Sequence, residues 1–206
     1  MLQVANPTHA LAPRWSPAAL NQTLAGKLAL ALAGSVFVAL CAHASVRLPF
    51  TPVPLTLGDF AVILVGMALG PVTGFAAMIA YLAEGAAGAP VFNPGGGGGL
   101  IQLLGPTAGY LFAYPLAALI AGSAVRTRAL SGLRASSFAA GFGAAFLTSA
   151  LIITGGVCWL SILLHLSIPS AIKLGALPFL PGQLVKVVAA AGIYASLRKW
   201  HQTSTR

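Results

Sequence analysis

Apolar residues fill most of this chain in unbroken stretches instead of recurring at every second position. Strands of a membrane barrel would alternate apolar and polar over roughly ten residues, and no such alternation is present. Stretches rich in Ala, Leu and Gly that are apolar all round predict helices surrounded by lipid or by protein. Six are predicted, at about 24–46, 57–69, 72–86, 105–125, 138–166 and 183–197. The second and third are short for a bilayer core of about 30 Å, so tilt or partial unwinding is expected there.

Polar or proline-rich breaks separate these stretches. Arg47 and PFTPVPLT follow the first, Gly70-Pro71 turns the second into the third, and a glycine-dense loop spans 85–99. RTRALSGLRASS follows the fourth, and a loop with Lys173 and several prolines precedes the sixth. Residues 1–22 lack the basic start and immediate apolar core of a signal peptide and read as a cytoplasmic extension. The expected organisation is that extension, a six-helix membrane domain over 23–200, and a cytoplasmic tail over 201–206. The predicted fold class is all-α and polytopic.

Composition supports this reading. Only 6% of the residues are charged against 58% apolar, with mean hydropathy +0.91. A soluble domain carries roughly 25% charged residues, so the bilayer must serve as solvent here. The net charge of +9 lacks a dense basic stretch with interleaved aromatics, which argues against nucleic acid. It divides by side instead. Six spans put Arg14, Lys27, Arg126, Arg128, Arg134, Arg198, Lys199 and Arg206 on one side, and only Arg47 and Lys173 on the other. That bias predicts cytoplasmic termini in the cell inner (plasma) membrane. Cys41 and Cys158 lie in apolar runs and form neither a disulfide framework nor a metal spacing. No catalytic triad, metal-ligand cluster or hydrolase-type carboxylate pair is present, so neither an enzyme nor a cofactor is expected.

Three ionisable side chains fall at membrane depth: Asp59, Glu84 and Lys186. A charge at the bilayer centre costs about 2.5–3.5 kcal/mol on insertion scales, and such groups usually face a cavity. A structural ion pair or interfacial snorkelling is the plainer alternative for each. Lys186 and Gln183 are three apart and share one face near a helix N-terminus, a combination suited to an anion or amide. The glycine run NPGGGGGL, Asn93 to Leu100, lacks the Lys-Ser/Thr of a nucleotide loop, which leaves a flexible link or a lid. Ala25, Ala29 and Ala33, spaced four apart, would let another helix approach closely, from this chain or another subunit.

Four longer segments carry a resemblance. PFTPVPLTLGDFAVILVGMALGP, AYLAEGAAGAPVF, LLGPTAGYLFAYPLAA and FLPGQLVK are similar, in order, to the BioY family, the biotin-binding S-components of energy-coupling-factor (ECF) transporters. The resemblance implies six helices, an outward-facing vitamin pocket and no chemistry of the protein's own. It also implies association with a transmembrane coupling subunit and two ATPase subunits, with Ala25, Ala29 and Ala33 as the docking surface. Whether the chain works alone, as a homo-oligomer or only with the ATPases stays open.

The expected biotin-binding residues are Lys186, Gln183, Asn93, Tyr81, Glu84, Asp59, Thr51 and Tyr110. Two departures stand out. The family motif on the last helix reads Pro-Gly-Asp, with a lysine three residues after the acid; Pro181, Gly182 and Lys186 match, but Gln183 replaces the Asp. Where the family often has Gln-Thr, this chain has Gly58-Asp59, as if the acid had moved to the opposite wall. An S-component for another small vitamin and a membrane scaffold without cargo are the competing readings. A channel would need repeated polar rings and a secondary transporter internal repeats; neither is evident.

Overall fold

The computed structural model describes residues 23–130 and 136–204, with side chains for 23–127 and 136–200. The segment 1–22, Arg134 and Arg206 lie outside the described residues. Among the described residues, four helices are long and apolar enough to cross a membrane: α1 (Leu24–His43), α5 (Ala108–Leu130), α6 (Ser137–Leu163) and α8 (Leu180–Ser204). Two shorter ones, α2 (Gly58–Leu69) and α3 (Pro71–Ala86), complete the six expected helices of an all-α membrane fold.

At 1.5 Å per residue, α2 is only about 18 Å long. It remains stable because it is central: it packs on α1, α3, α5, α6 and α8, and eight of its residues, from Gly58 to Met67, are buried. Gly70 joins it to α3 with φ +82, a left-handed backbone that glycine adopts without penalty, and Pro71 opens α3 where a missing N–H is tolerated. The lipid-facing surface shows the inverse pattern. On α1, Leu24, Leu28, Leu32, Val36 and Leu40 form an exposed stripe four residues apart, while Gly26, Ala31, Gly34 and Val38 turn inward. Cys158 is among the exposed residues of α6.

The breaks hold more structure than their composition suggests. The first span ends at His43, because Ser45–Val46 (β1) leave the helix and pair antiparallel with Leu55–Thr56 (β2). A six-residue helix, α4 (Gly99–Leu104), follows the glycine run, and α7 (Ile168–Gly175) lies in the proline-bearing loop. The fifth span stops at Leu163, before His165 at φ +51, while Ser161 donates to the Leu166 carbonyl and closes the turn. The last span starts at Leu180, since Pro181 is harmless in a first turn, and its backbone continues to Ser204, into the stretch read as tail.

Candidate functional site

Between the first turn of α2, the first turns of α5 and α8, and the middle of α6 lies a narrow cavity at one end of the bundle. Val53, Thr56, Asp59, Asn93, Thr107, Tyr110, Tyr114, Ile152, Phe179, Gln183 and Lys186 are on its wall. Its polar centre comes from two helix starts facing each other. Helix α2 begins at Gly58, which carries Asp59 into the interior one residue later. Helix α8 presents Gln183 and Lys186 from one face, as their spacing predicts.

Asp59, Gln183 and Lys186 are 7%, 8% and 7% exposed, so water compensates little of their charge or polarity. They compensate each other. Lys186 Nζ donates to Asp59 Oδ1 at 2.7 Å and to the Thr56 carbonyl at 2.6 Å, and Gln183 Nε2 donates to Asp59 Oδ2 at 2.5 Å. Both carboxylate oxygens are therefore engaged, and the ammonium retains one N–H. Gln183 Oε1 is, among the described residues, a buried acceptor without a partner. Leaving such an acceptor unsatisfied costs about 1–3 kcal/mol. The centre thus offers the spare N–H of Lys186, the second amide N–H of Gln183 and one free acceptor around a neutralised charge pair.

The roof is built from three loops. Asn93, 8% exposed, accepts from the Gly95 N–H at 3.1 Å. Gln102 holds the glycine run, accepting from the Gly98 N–H at 3.3 Å and donating to Thr107 at 3.2 Å. A Cβ at Gly96 would sit 1.7 Å from the Gln102 side chain, so the run wraps a glutamine instead of standing open as a phosphate cradle. Thr51 donates to the Leu174 carbonyl at 2.8 Å and Tyr110 to that of Gly175 at 2.6 Å. These bonds satisfy carbonyls at the end of α7 that the helix itself leaves orphaned. Beneath Tyr110, a Cβ at Gly156 would lie 2.1 Å from the ring, so only glycine there lets α5 and α6 close around it.

Of the eight residues expected to bind ligand, Lys186, Gln183, Asp59, Asn93 and Tyr110 line this cavity. The other three lie elsewhere. Thr51 is committed to α7. Tyr81, 1% exposed, is a core residue, edge-on to Phe92 at 5.3 Å and stacked on Tyr114 at 6.2 Å. Glu84 accepts a hydrogen bond from Ser35 of α1 and is not on the cavity wall. Tyr114 and Thr107 line the cavity and were not anticipated. Tyr114 shares a helix face with Tyr110, four residues on, and that spacing was a usable signal, whereas Thr107 lies in the turn just before α5.

The cavity is about 60 Å³, small against the roughly 300–1,000 Å³ of pockets that take drug-sized ligands. A ligand of that size does not fit the cavity in this conformation.

The sequence model of the BioY family matches residues 13–203. This chain belongs to the BioY family. Among its curated relatives, a probable biotin transporter BioY of Pyrococcus horikoshii is 36% identical over 80% of this chain and 93% of its own. A biotin transporter BioY of Thermotoga maritima is 36% identical over 75% and 86%. The probable biotin transporter BioY of Bacillus subtilis is 37% identical over 70% and 74%. In three dimensions the chain is similar to the S-component for biotin from an ECF-type ABC transporter, with TM-score 0.74 over 84% of this chain and 90% of that one. At 24% identity that likeness establishes the fold. A BioY protein with four long apolar helices is a multi-pass membrane protein.

Proposed function

We propose that this chain is the biotin-binding S-component of a vitamin importer and performs no chemistry of its own. The observation that carries the reading is the unpartnered Gln183 Oε1 beside the spare N–H of Lys186, both held by Asp59. Biotin's ureido ring pairs N–H donors with a carbonyl acceptor, and it is uncharged. A centre already neutralised by Asp59 matches such a group better than it matches a carboxylate, because a second anion would compete for the same lysine. The ureido N–H would donate to Gln183 Oε1, and its carbonyl would accept from Lys186. The apolar bicycle would lie against Val53, Ile152, Tyr110 and Phe179, and the carboxylate tail would leave toward the roof. Arg47 supplies a cation there: a Cβ at Gly95 would lie 2.9 Å from its Nε.

The sidedness of charge supports an outward-facing cavity, with the opposite end of the bundle and both termini cytoplasmic in the inner membrane. Ala25, Ala29 and Ala33 are all exposed on α1, whose opposite face is buried in the bundle. Their small side chains fit a helix of a coupling subunit, with two ATPases supplying the energy.

Labelled biotin offered to the purified, detergent-solubilised chain tests this. Saturable 1:1 binding, lost in Lys186→Ala, is the expected result. A folded chain that ignores biotin and retains another vitamin would reassign the cargo, and one that retains none would favour a scaffold.

A further inference from the structure

A second cavity, of about 740 Å³, opens at the far end of the bundle from Asp59 and Lys186. The start of α1, the α2–α3 turn and the ends of α5 and α8 enclose it, and Lys27, Arg126 and Arg198 are on its wall. Much of the remaining lining is apolar, including Leu64, Met67, Val125 and Ile193. The first turn of α3, from Pro71 to Thr73, also faces it, and this 16-residue helix has no side-chain cap. A helix start adds partial positive charge to the three cations.

Among the described residues the wall of this cavity holds no acidic side chain. The whole chain has two acidic side chains, Asp59 and Glu84. Asp59 is held by Lys186 and Gln183, and Glu84, bonded to Ser35, is 13 residues along α3 from Pro71, about 20 Å at helical rise. Neither acidic side chain therefore reaches the three cations, which leaves the cavity wall open to an anion from outside. Arg198 donates to the neutral hydroxyl of Tyr194 at 3.5 Å, which leaves its charge unbalanced.

The wall also says what kind of anion fits. Val72, Ile193 and Leu197 line the cavity and are 69%, 41% and 47% exposed, on helices whose outer surfaces meet lipid. A small hydrophilic anion would leave them uncovered. We propose that this cavity binds the phosphodiester headgroup of an anionic phospholipid, with Lys27, Arg126 and Arg198 around the phosphate. The acyl chains run out over Val72, Ile193 and Leu197. Basic pockets between membrane helices recognise headgroups in this way. The site is separate from the ligand cavity, and its test needs no biotin.

Native mass spectrometry of the full chain in non-ionic detergent reads the result. The native chain should retain phosphatidylglycerol over phosphatidylcholine, and excess inorganic phosphate should not displace it. Each of Lys27→Gln, Arg126→Gln and Arg198→Gln should weaken retention about fivefold, one cation's share of headgroup attraction. Lys173→Gln, at the other end, should change nothing. Equal retention of both lipids, or of phosphatidylglycerol by all three variants, would overturn the site; displacement by phosphate would assign it to a free anion. If a variant does not fold, the native chain decides: a preference that collapses in about 1 M salt, where the Debye length is about 3 Å, supports the site, and one indifferent to salt refutes it.

Discussion

Asp59 and Gln183 stand 124 positions apart in the chain and meet across the cavity at 2.5 Å. We propose that the acid and the amide of this centre have exchanged walls relative to the motif the chain resembles, with Asp59 now serving as the counter-ion of Lys186.

That exchange is testable as a pair. Asp59→Asn leaves Lys186 buried without an anion, and breaking a buried ion pair costs about 3–5 kcal/mol. The variant should melt well below the native chain and bind biotin poorly. Asp59→Gln combined with Gln183→Asp returns the acid to α8 and should recover most of both losses. A thermal melt in detergent and a biotin titration check it; a double variant no better than the single one would sink the compensation argument.

Tyr81 and Glu84 lie off the cavity wall, so conservative changes there test the binding roles expected of them. Tyr81→Ala empties a fully buried site and should destabilise the fold by about 3–5 kcal/mol. Tyr81→Phe and Glu84→Gln should leave biotin affinity within about twofold, under 1 kcal/mol. A tenfold loss in either conservative variant would place that side chain in contact with the ligand after all.

Gly156→Ala should act on ligand binding through Tyr110. The added methyl would lie 2.1 Å from the ring and must displace it or part α5 from α6. Overpacking of this kind costs about 1–3 kcal/mol. Displacing the ring also breaks its bond to Gly175, so biotin should dissociate faster. Stopped-flow release measures this, and unchanged release with a lowered melting temperature would confine the effect to packing.

Ala29→Trp should leave biotin binding intact, because Ala29 is exposed on α1. Co-purification with an ECF coupling subunit should fail. Retained co-purification would move the docking surface elsewhere.

Much of this architecture was legible because long apolar runs have one physical solution in lipid. The contrast between the 12-residue α2 and the long outer helices was visible in run length alone. Side-chain direction was harder. In a soluble helix the polar face marks the outside, but here both faces are apolar, so Tyr81 and Tyr110 look alike in sequence although one lies in the core and one lines the cavity. The helix α7 hid behind Pro169, which reads as a breaker, yet Ser167 followed by a proline in the first turn is a start signal. The ribbon of β1 and β2 spans too few residues to leave a pattern. Lys186 and Gln183 were recognisable from spacing, whereas their bonds to Asp59 needed the fold.

Helix α2 is ringed by five others, and this bears on how the protein meets membranes of different thickness. Matching a thinner or thicker bilayer falls to α1, α5, α6 and α8, which can tilt within the lipid. The short helix bearing Asp59 is shielded from that adjustment inside their collar. Asp59 therefore sits at a depth set by protein contacts, whereas Lys186 and Gln183 ride on α8, so a tilt of α8 that adapts to bilayer thickness is felt at the ion pair.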